Sequence, residues 1–455
     1  MALVGVALAW STLAAGGVYR WAGPPLIVLT FVLSALTRPR VAASPDTRPV
    51  DVTLLVALAA VACQLLPLPT EVRWQLSPRL DVDRLALLLV PINATAWAPL
   101  SLDPTSTVVA LGLVTAAALV FWCSRSLCGQ GHTRHIVNLV GALGVVASVA
   151  AVAQRAVDPT RLYGVWLPLD DGARPMGPFV NRNHLATWLL LAAPLLAGAL
   201  AAAPRARAAS DRTSARLAMG IRSLETRQGW MAMALVLMTL TLALTTSRAA
   251  LAAAAAAGLV AIALGRGRAT RGGVVVALVS TAIVAAVALA TIAPQPWIAR
   301  AQETLTLGTA GRAAIWTDAR TVAGLYPVSG AGLGSFERAM LLHQTADRRT
   351  QTNQAHSQYL QLLAEGGILL AAPVILVMAA YTWLAARRLR EDSTPAVWLR
   401  IGSLAGLVAV AVQGLWETGL RMPANGILFA VVAAIAVHRP KAAAQPRERG
   451  VRGMT

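Results

Sequence analysis

Residues 352–386 read TNQAHSQYLQLLAEGGILLAAPVILVMAAYTWLAA, and no charged residue falls between Gly366 and Ala386. An uncharged run of this length meets the requirement for a bilayer-crossing helix, about 17 to 25 mostly apolar residues. Similar runs recur along all 455 residues and leave no room for a separate soluble domain. Hydrophobic residues make up 56% of the chain and charged residues 13%, against about 25% charged in soluble domains. The sequence therefore predicts an all-α, polytopic membrane helical bundle forming a single integral-membrane domain over 1–455.

Hydropathy windows give about twelve transmembrane helices, beginning near residues 2, 21, 50, 106, 135, 184, 230, 248, 273, 366, 396 and 424. The first, MALVGVALAWSTLAAGGV, lacks a basic n-region and reads as a retained span rather than a signal peptide. Connections 38–50, 124–134, 204–229, 265–272, 387–395 and 439–455 together carry a net +16 of the total +19. By the positive-inside rule these lie in the cytoplasm, which puts both termini inside. The excess charge is then a topology signal, and no nucleic-acid partner is implied. The basic tail 439–455 reads as cytoplasmic and disordered.

The same alternation sends the unusual segments to the far side: 67–105, 155–183, the turn Thr245 to Arg248, a long loop 294–365, and 416–423. Tryptophans near span ends, such as Trp21, Trp122, Trp230 and Trp398, fit the interfacial aromatic belt. A loop as long as 294–365 is either functional or disordered. Its composition argues for order with short helices, since Arg312, Trp316 and Arg320 recur at steps of four and share one helical face. In HSQYLQLLAEGG, Tyr359, Leu360 and Leu363 make an apolar stripe that would put His356 in the first turn of a helix. Arg248 stands between two apolar spans, where an arginine is costly and is usually paired or functional. Glu417 and Arg421 are spaced as a helical ion pair. In FVNRNHLATWLL, Asn183 reads either as a helix N-cap or as a substrate contact.

Other patterns favour plain structure. The glycine-rich GAGLGSF lacks the strand and lysine of a phosphate-binding loop. Asp81 and Asp83 form a D-x-D, yet PRLDVDRLALLL looks like a helix start, where carboxylates complement the dipole. Asp170 and Asp171 have no His or Cys neighbour to complete a metal site. Cys63, Cys123 and Cys128 are odd in number and lack metal-ligand spacing. The Ala-rich spans near 248 and 273 are expected to pack centrally, because small residues let membrane helices approach closely.

Six stretches carry a family resemblance. They are LLPLPTEVRWQLSP with PLSLDPTST, MGPFVNRNHLATWLLLAAPL, LTTSRAALAAAAA, GRAAIWTDARTVAGLYPVSGAGLGSF, AHSQYLQLLAEGGILL, and LWETGLRMPANGILFAVV. In order and content the chain resembles the O-antigen ligase and polymerase family of bacterial inner-membrane proteins. The resemblance implies transfer of a glycan from an undecaprenyl diphosphate carrier to an acceptor hydroxyl on the periplasmic face, as in ligation to a lipopolysaccharide core. It also makes 294–365 a catalytic periplasmic loop, puts the family's motif histidine on His356, and puts its essential arginines on Arg248 and Arg312. Ser357 stands where many relatives have Asn, and Glu417 with Thr418 where His or Asp is often seen.

Elementary chemistry asks for the same residue types. Displacing a diphosphate from an anomeric carbon builds negative charge, which arginine neutralises bidentately without deprotonating. The acceptor hydroxyl needs a base, and a neutral histidine serves. A diphosphate leaves well, so neither a metal nor another cofactor is expected. Arg320, Trp316, Asn183 and Arg421 are expected to contact substrate. Two alternatives share the composition. One is a polymerase whose acceptor is a second carrier-linked repeat; the other is a polytopic transporter. The transporter reading lacks paired broken helices, and the charged groups lie on one face instead of at midplane.

Overall fold

A computed structural model describes residues 1–88, 97–169, 173–203, 226–266, 309–345 and 351–439. The expected span near 273, Asp170 and Asp171, and most of the basic tail lie outside these residues. The described helices are α1 Ala2–Leu13, α2 Gly23–Thr37, α3 Arg48–Cys63, α4 Thr70–Leu76, α5 Leu80–Leu88, α6 Pro104–Gly129, α7 Thr133–Val157 and α8 Arg182–Ala201. They continue with α9 Arg227–Leu244, α10 Arg248–Gly265, α11 Thr309–Leu325, α12 Phe336–His343, α13 Gln358–Glu391, α14 Val397–Gln413 and α15 Pro423–Val437. Seven described helices are long and apolar enough to cross a membrane, and α1, α14 and α15 are shorter apolar helices. Their starts carry side-chain caps: Asp103 accepts from Ser106 N, Asn181 from Asn183 N, and Ser247 from Ala250 N.

The centre of the bundle is α8, 72% of whose apolar window is buried, and not the Ala-rich α10, for which the figure is 28%. Glycine explains the difference. A Cβ on Gly198 would lie 2.4 Å from the Trp398 carbonyl, and one on Gly402 2.2 Å from the Pro194 carbonyl. The α8 and α14 backbones therefore touch, which alanine does not permit. Helix α10 buries the alanine stripe Ala250, Ala253, Ala257 and Ala261, and its terminal glycine, Gly265, meets the Trp398 ring and no backbone.

Connections assigned to the same side by charge meet at one end of the bundle. Asp46 pairs with Arg387 at 2.6 Å and Arg388 at 3.3 Å, and Arg439 lies 3.5 Å away. Asp51, fully buried, accepts from Arg125 at 2.8 and 2.7 Å, from Trp122 Nε1 at 2.9 Å and from Ala42 N at 2.9 Å. Removing one partner of such a pair costs about 3 to 5 kcal/mol because the other charge stays buried. Asp51→Ala should accordingly lower the thermal midpoint of the purified protein by several degrees, with a negligible change refuting a structural role for this carboxylate.

At the opposite end, residues 64–88, 97–107 and 309–345 build a cap with its own core of Leu80, Leu102, Val322, Tyr326, Phe336 and Met340. Its only regular sheet among the described residues is a two-residue antiparallel pairing of Leu68–Pro69 with Trp97–Ala98. The D-x-D is a helix start with structural partners: Asp81 accepts from Arg73 Nη2 at 2.9 Å, and Asp83 binds Arg79 at 3.0 Å, His343 Nε2 at 2.7 Å and the Tyr326 hydroxyl.

The cap meets the bundle where α13 breaks. At 34 residues, α13 would measure about 51 Å at 1.5 Å per residue, well beyond a hydrocarbon core of about 30 Å. Gly367, with φ +53°, divides it, a conformation that costs glycine little. Ile368 N and Leu369 N instead donate to the Pro327 and Val328 carbonyls, both at 2.9 Å. The glycine-rich turn packs against this break: a Cβ on Gly330 would sit 2.3 Å from the Glu365 carbonyl. Buried Gln64 locks the joint, donating to Ser329 O at 2.7 Å and Glu365 O at 2.9 Å while accepting from Leu333 N at 3.0 Å. These glycines serve close packing rather than phosphate binding.

Candidate active site

The site assembles around the end of α14. Helix α14 stops at Gln413, and the chain turns through Gly414 to Thr418 before a 3-10 turn, Gly419–Arg421. The turn exists because Gly419 lies against Thr187 of α8, where a Cβ would sit 2.2 Å from Oγ1. Glu417 is thereby buried at 4% exposure. Its Oε1 accepts from Arg312 Nη2 at 2.9 Å and from Asn183 Nδ2 at 2.8 Å. Burial pushes this carboxyl up from its ordinary range, and the cations of Arg312 and Arg182 oppose that rise.

The expected Glu417–Arg421 pair does not form, since the 3-10 turn replaces the α-helix that would bring them together. Arg421 pairs with Glu365 at 3.2 Å. Glu365 also accepts from Gln361 Nε2 at 2.8 Å and Phe336 N at 3.3 Å, and Gln361 accepts from Ala355 N at 2.6 Å. Arg421 thus braces the segment before His356 through two intermediates. Of the two readings of Asn183, the N-cap does not hold; Asn181 caps α8, accepting from Asn183 N at 2.8 Å. That frees the Asn183 amide to reach Glu417.

His356 precedes the helix instead of occupying its first turn. Ser357 caps α13 by accepting from Leu360 N at 3.5 Å, so the histidine falls one residue outside. Its φ of +48° is left-handed, a conformation uncommon outside glycine and worth about 1 to 3 kcal/mol of strain. The strain is held by neighbours on the same turn: Gln354 hydrogen-bonds Thr418, Gln358 N donates to Gly414 O at 2.8 Å, and Tyr359 Oη donates to Ala411 O at 2.7 Å. Among the described residues, buried Nδ1 of His356 has no hydrogen-bond partner. Burial and the nearby Arg312 cation press this imidazole down to about 4. It is therefore neutral at pH 7, with Arg312 close enough to act on its charge.

Three further candidates lie at the margin. Arg248 is the first residue of α10, exposed, just after a turn in which Thr246 accepts from Arg182 Nη1 at 3.2 Å. Because Arg182 bears on Glu417, the TSR turn lies at the edge of the same cluster. Arg312, Trp316 and Arg320 share a face of α11 as their spacing predicts, but only the first reaches Glu417. Trp316 is half-buried, and Arg320 is exposed with its Nε on its own helix's Trp316 carbonyl at 3.2 Å. Among the described residues no cluster of His, Cys, Asp and Glu has the makeup to hold a metal ion.

What the arrangement can do follows from its parts. A neutral imidazole accepts a proton, a half-exposed guanidinium fixed by a buried carboxylate holds an anion, and an amide orients the carboxylate. The family model of the O-antigen ligases matches residues 233–375. No curated protein matches the chain. The matched stretch runs from α9 into α13 and includes Arg248, Arg312 and His356, whereas Asn183, Glu417 and Arg421 fall outside it. Residues 233–375 are an O-antigen ligase-family segment, in agreement with the sequence motifs they carry.

Proposed function

We propose that this membrane protein transfers a glycan from a lipid diphosphate carrier, undecaprenyl diphosphate in a bacterial inner membrane, to an acceptor hydroxyl on the periplasmic face. The observation that carries this reading is the contact of Arg312 with Glu417 beside His356. A diphosphate bound at Arg312, with Arg248 as the second cation, brings the anomeric carbon to the imidazole. The acceptor oxygen forms the new bond to that carbon as its proton passes to His356. The bond from carbon to phosphate oxygen breaks, and the electron pair leaves on the diphosphate. A single displacement of this kind inverts the anomeric centre.

The diphosphate also completes the electrostatics. Arg312 lowers the basicity of His356 in the free protein; an anion beside Arg312 offsets that cation and makes the imidazole a better base when substrate is present. Arg320 and Trp316, farther along α11, contact the outer part of the glycan in this reading.

Purified protein in liposomes with carrier-linked glycan and acceptor should consume the carrier-linked glycan and release polyprenyl diphosphate in the presence of chelator. Loss of turnover on chelation, restored by metal, would remove the proposed mechanism. If the acceptor is a second carrier-linked repeat, the same chemistry is polymerisation, and the attachment point of the product separates the two.

A further inference from the structure

Helix α7 carries exposed Val146, Val149 and Val152 on its outer surface, an apolar stripe facing lipid in a membrane-spanning helix. The stripe does not stop at the helix end. Val157 is 83% exposed, and beyond it residues 162–166 form a tight hairpin, with Leu162 N donating to Trp166 O at 2.8 Å and Trp166 N to Leu162 O at 2.9 Å. Val165, Leu167 and Leu169 then project at 78%, 66% and 82% exposure. A patch of this kind on a non-spanning segment marks a contact surface.

Its aromatic residues are held in place by their polar ends. Tyr163 Oη donates to Leu13 O at 2.5 Å, and Trp166 Nε1 donates to Tyr19 Oη at 2.8 Å. Trp21, 54% exposed, stands beside Trp10 at the start of α2 and continues the same belt. Arg20 is exposed on the segment of Trp21, and Arg161, exposed on that of the hairpin, lies 3.7 Å from Asp158. Fixed aromatics, projecting aliphatics and adjacent arginines match the bilayer interface, where rings sit at headgroup level and cations meet phosphates. The continuity with the α7 stripe chooses lipid over a protein partner.

We propose that residues 157–169 are an interfacial hairpin lying in the phospholipid headgroup layer at the reactive end of the bundle, with Val165, Leu167 and Leu169 among the lipid chains. One consequence concerns depth. Past the hairpin the chain turns back inward: Gly177 packs on Ala147 and Ala151 of α7. Ala151 lies about 9 Å below Val157 at 1.5 Å per residue. This descending backbone is covered by protein, as irregular chain at membrane depth must be, with Met176 and Phe179 both buried. Arg182 N donates to Arg174 O at 2.9 Å as the chain enters α8. The hairpin therefore fixes Asn183 and the Glu417 cluster below the headgroups, within reach of a lipid-borne diphosphate. The hairpin assignment rests on the membrane reading alone and does not require the transfer reaction.

The test places a nitroxide on Val165→Cys and Leu169→Cys in the full chain, in nanodiscs of phosphatidylethanolamine and phosphatidylglycerol. Arg338→Cys on the exposed side of α12 serves as the aqueous reference, and the unsubstituted protein gives the background of its native cysteines. Oxygen should relax the hairpin labels several-fold more than a water-soluble nickel complex does, reversing the order at position 338. Nickel accessibility equal to that of position 338 would overturn the proposal. So would shielding from both reagents, which would mean that protein covers the patch.

Discussion

His356→Ala should lower the turnover of glycan transfer by about 10² to 10⁴, the range expected for loss of a general base, while leaving the thermal midpoint close to that of the parent. Stability is spared because the ring makes no hydrogen bond at Nδ1 among the described residues. Its left-handed backbone is held by flanking residues rather than by the ring, and alanine accepts that conformation at a cost of about 1 kcal/mol. His356→Gln should fare no better, since a carboxamide does not take up a proton at neutral pH. A variant that folds and turns over at the parental rate would remove His356 from the chemistry.

The second large effect belongs to the pair that faces the histidine. Arg312→Ala should cost about 10² to 10³ in turnover, the magnitude of losing a preorganised group aimed at developing charge. Glu417→Ala should act through Arg312, by releasing a guanidinium that the carboxylate and the Asn183 amide now position. The two losses should then fail to add, so that the double variant is hardly slower than Arg312→Ala alone. Full additivity would show that Glu417 acts on something other than Arg312. The Arg312 side chain is 38% exposed, so water screens the pair, and its value lies in geometry more than in stability.

Much of this was legible along the chain because it is local. Uninterrupted apolar runs give α6, α7, α8, α9 and α10 within a few residues. The four-residue steps of Arg312, Trp316 and Arg320 give one face of α11, and the charge distribution gathers Asp46, Arg125 and Arg387 at a single end. What escaped is nonlocal. Glu417 meets partners 105 and 234 residues away, and its nearest sequence neighbour of opposite charge, Arg421, is a misleading one because Gly419 needs to touch Thr187. Glu365 was hidden in the same way, as a polar residue in an amphipathic run; its spacing of four from Gln361, which it bonds at 2.8 Å, is the signal that could have found it. The central place of α8 depends on single glycines opposite carbonyls on α14, which composition does not reveal.

The pH dependence of kcat/KM tests the central claim most directly, since it reports ionisation in the free enzyme. An imidazole held down to about 4 by burial and by Arg312 stays neutral as pH falls, so the acid limb of the parent should lie near 4, well below 6.5. In Arg312→Gln the cation is gone and burial remains, so the limb of the residual activity should move up toward 6.5 without reaching it. An acid limb that stays in place when Arg312 is neutralised, or a parental limb at 6.5 or above, would contradict the account of His356 as the base under Arg312's control.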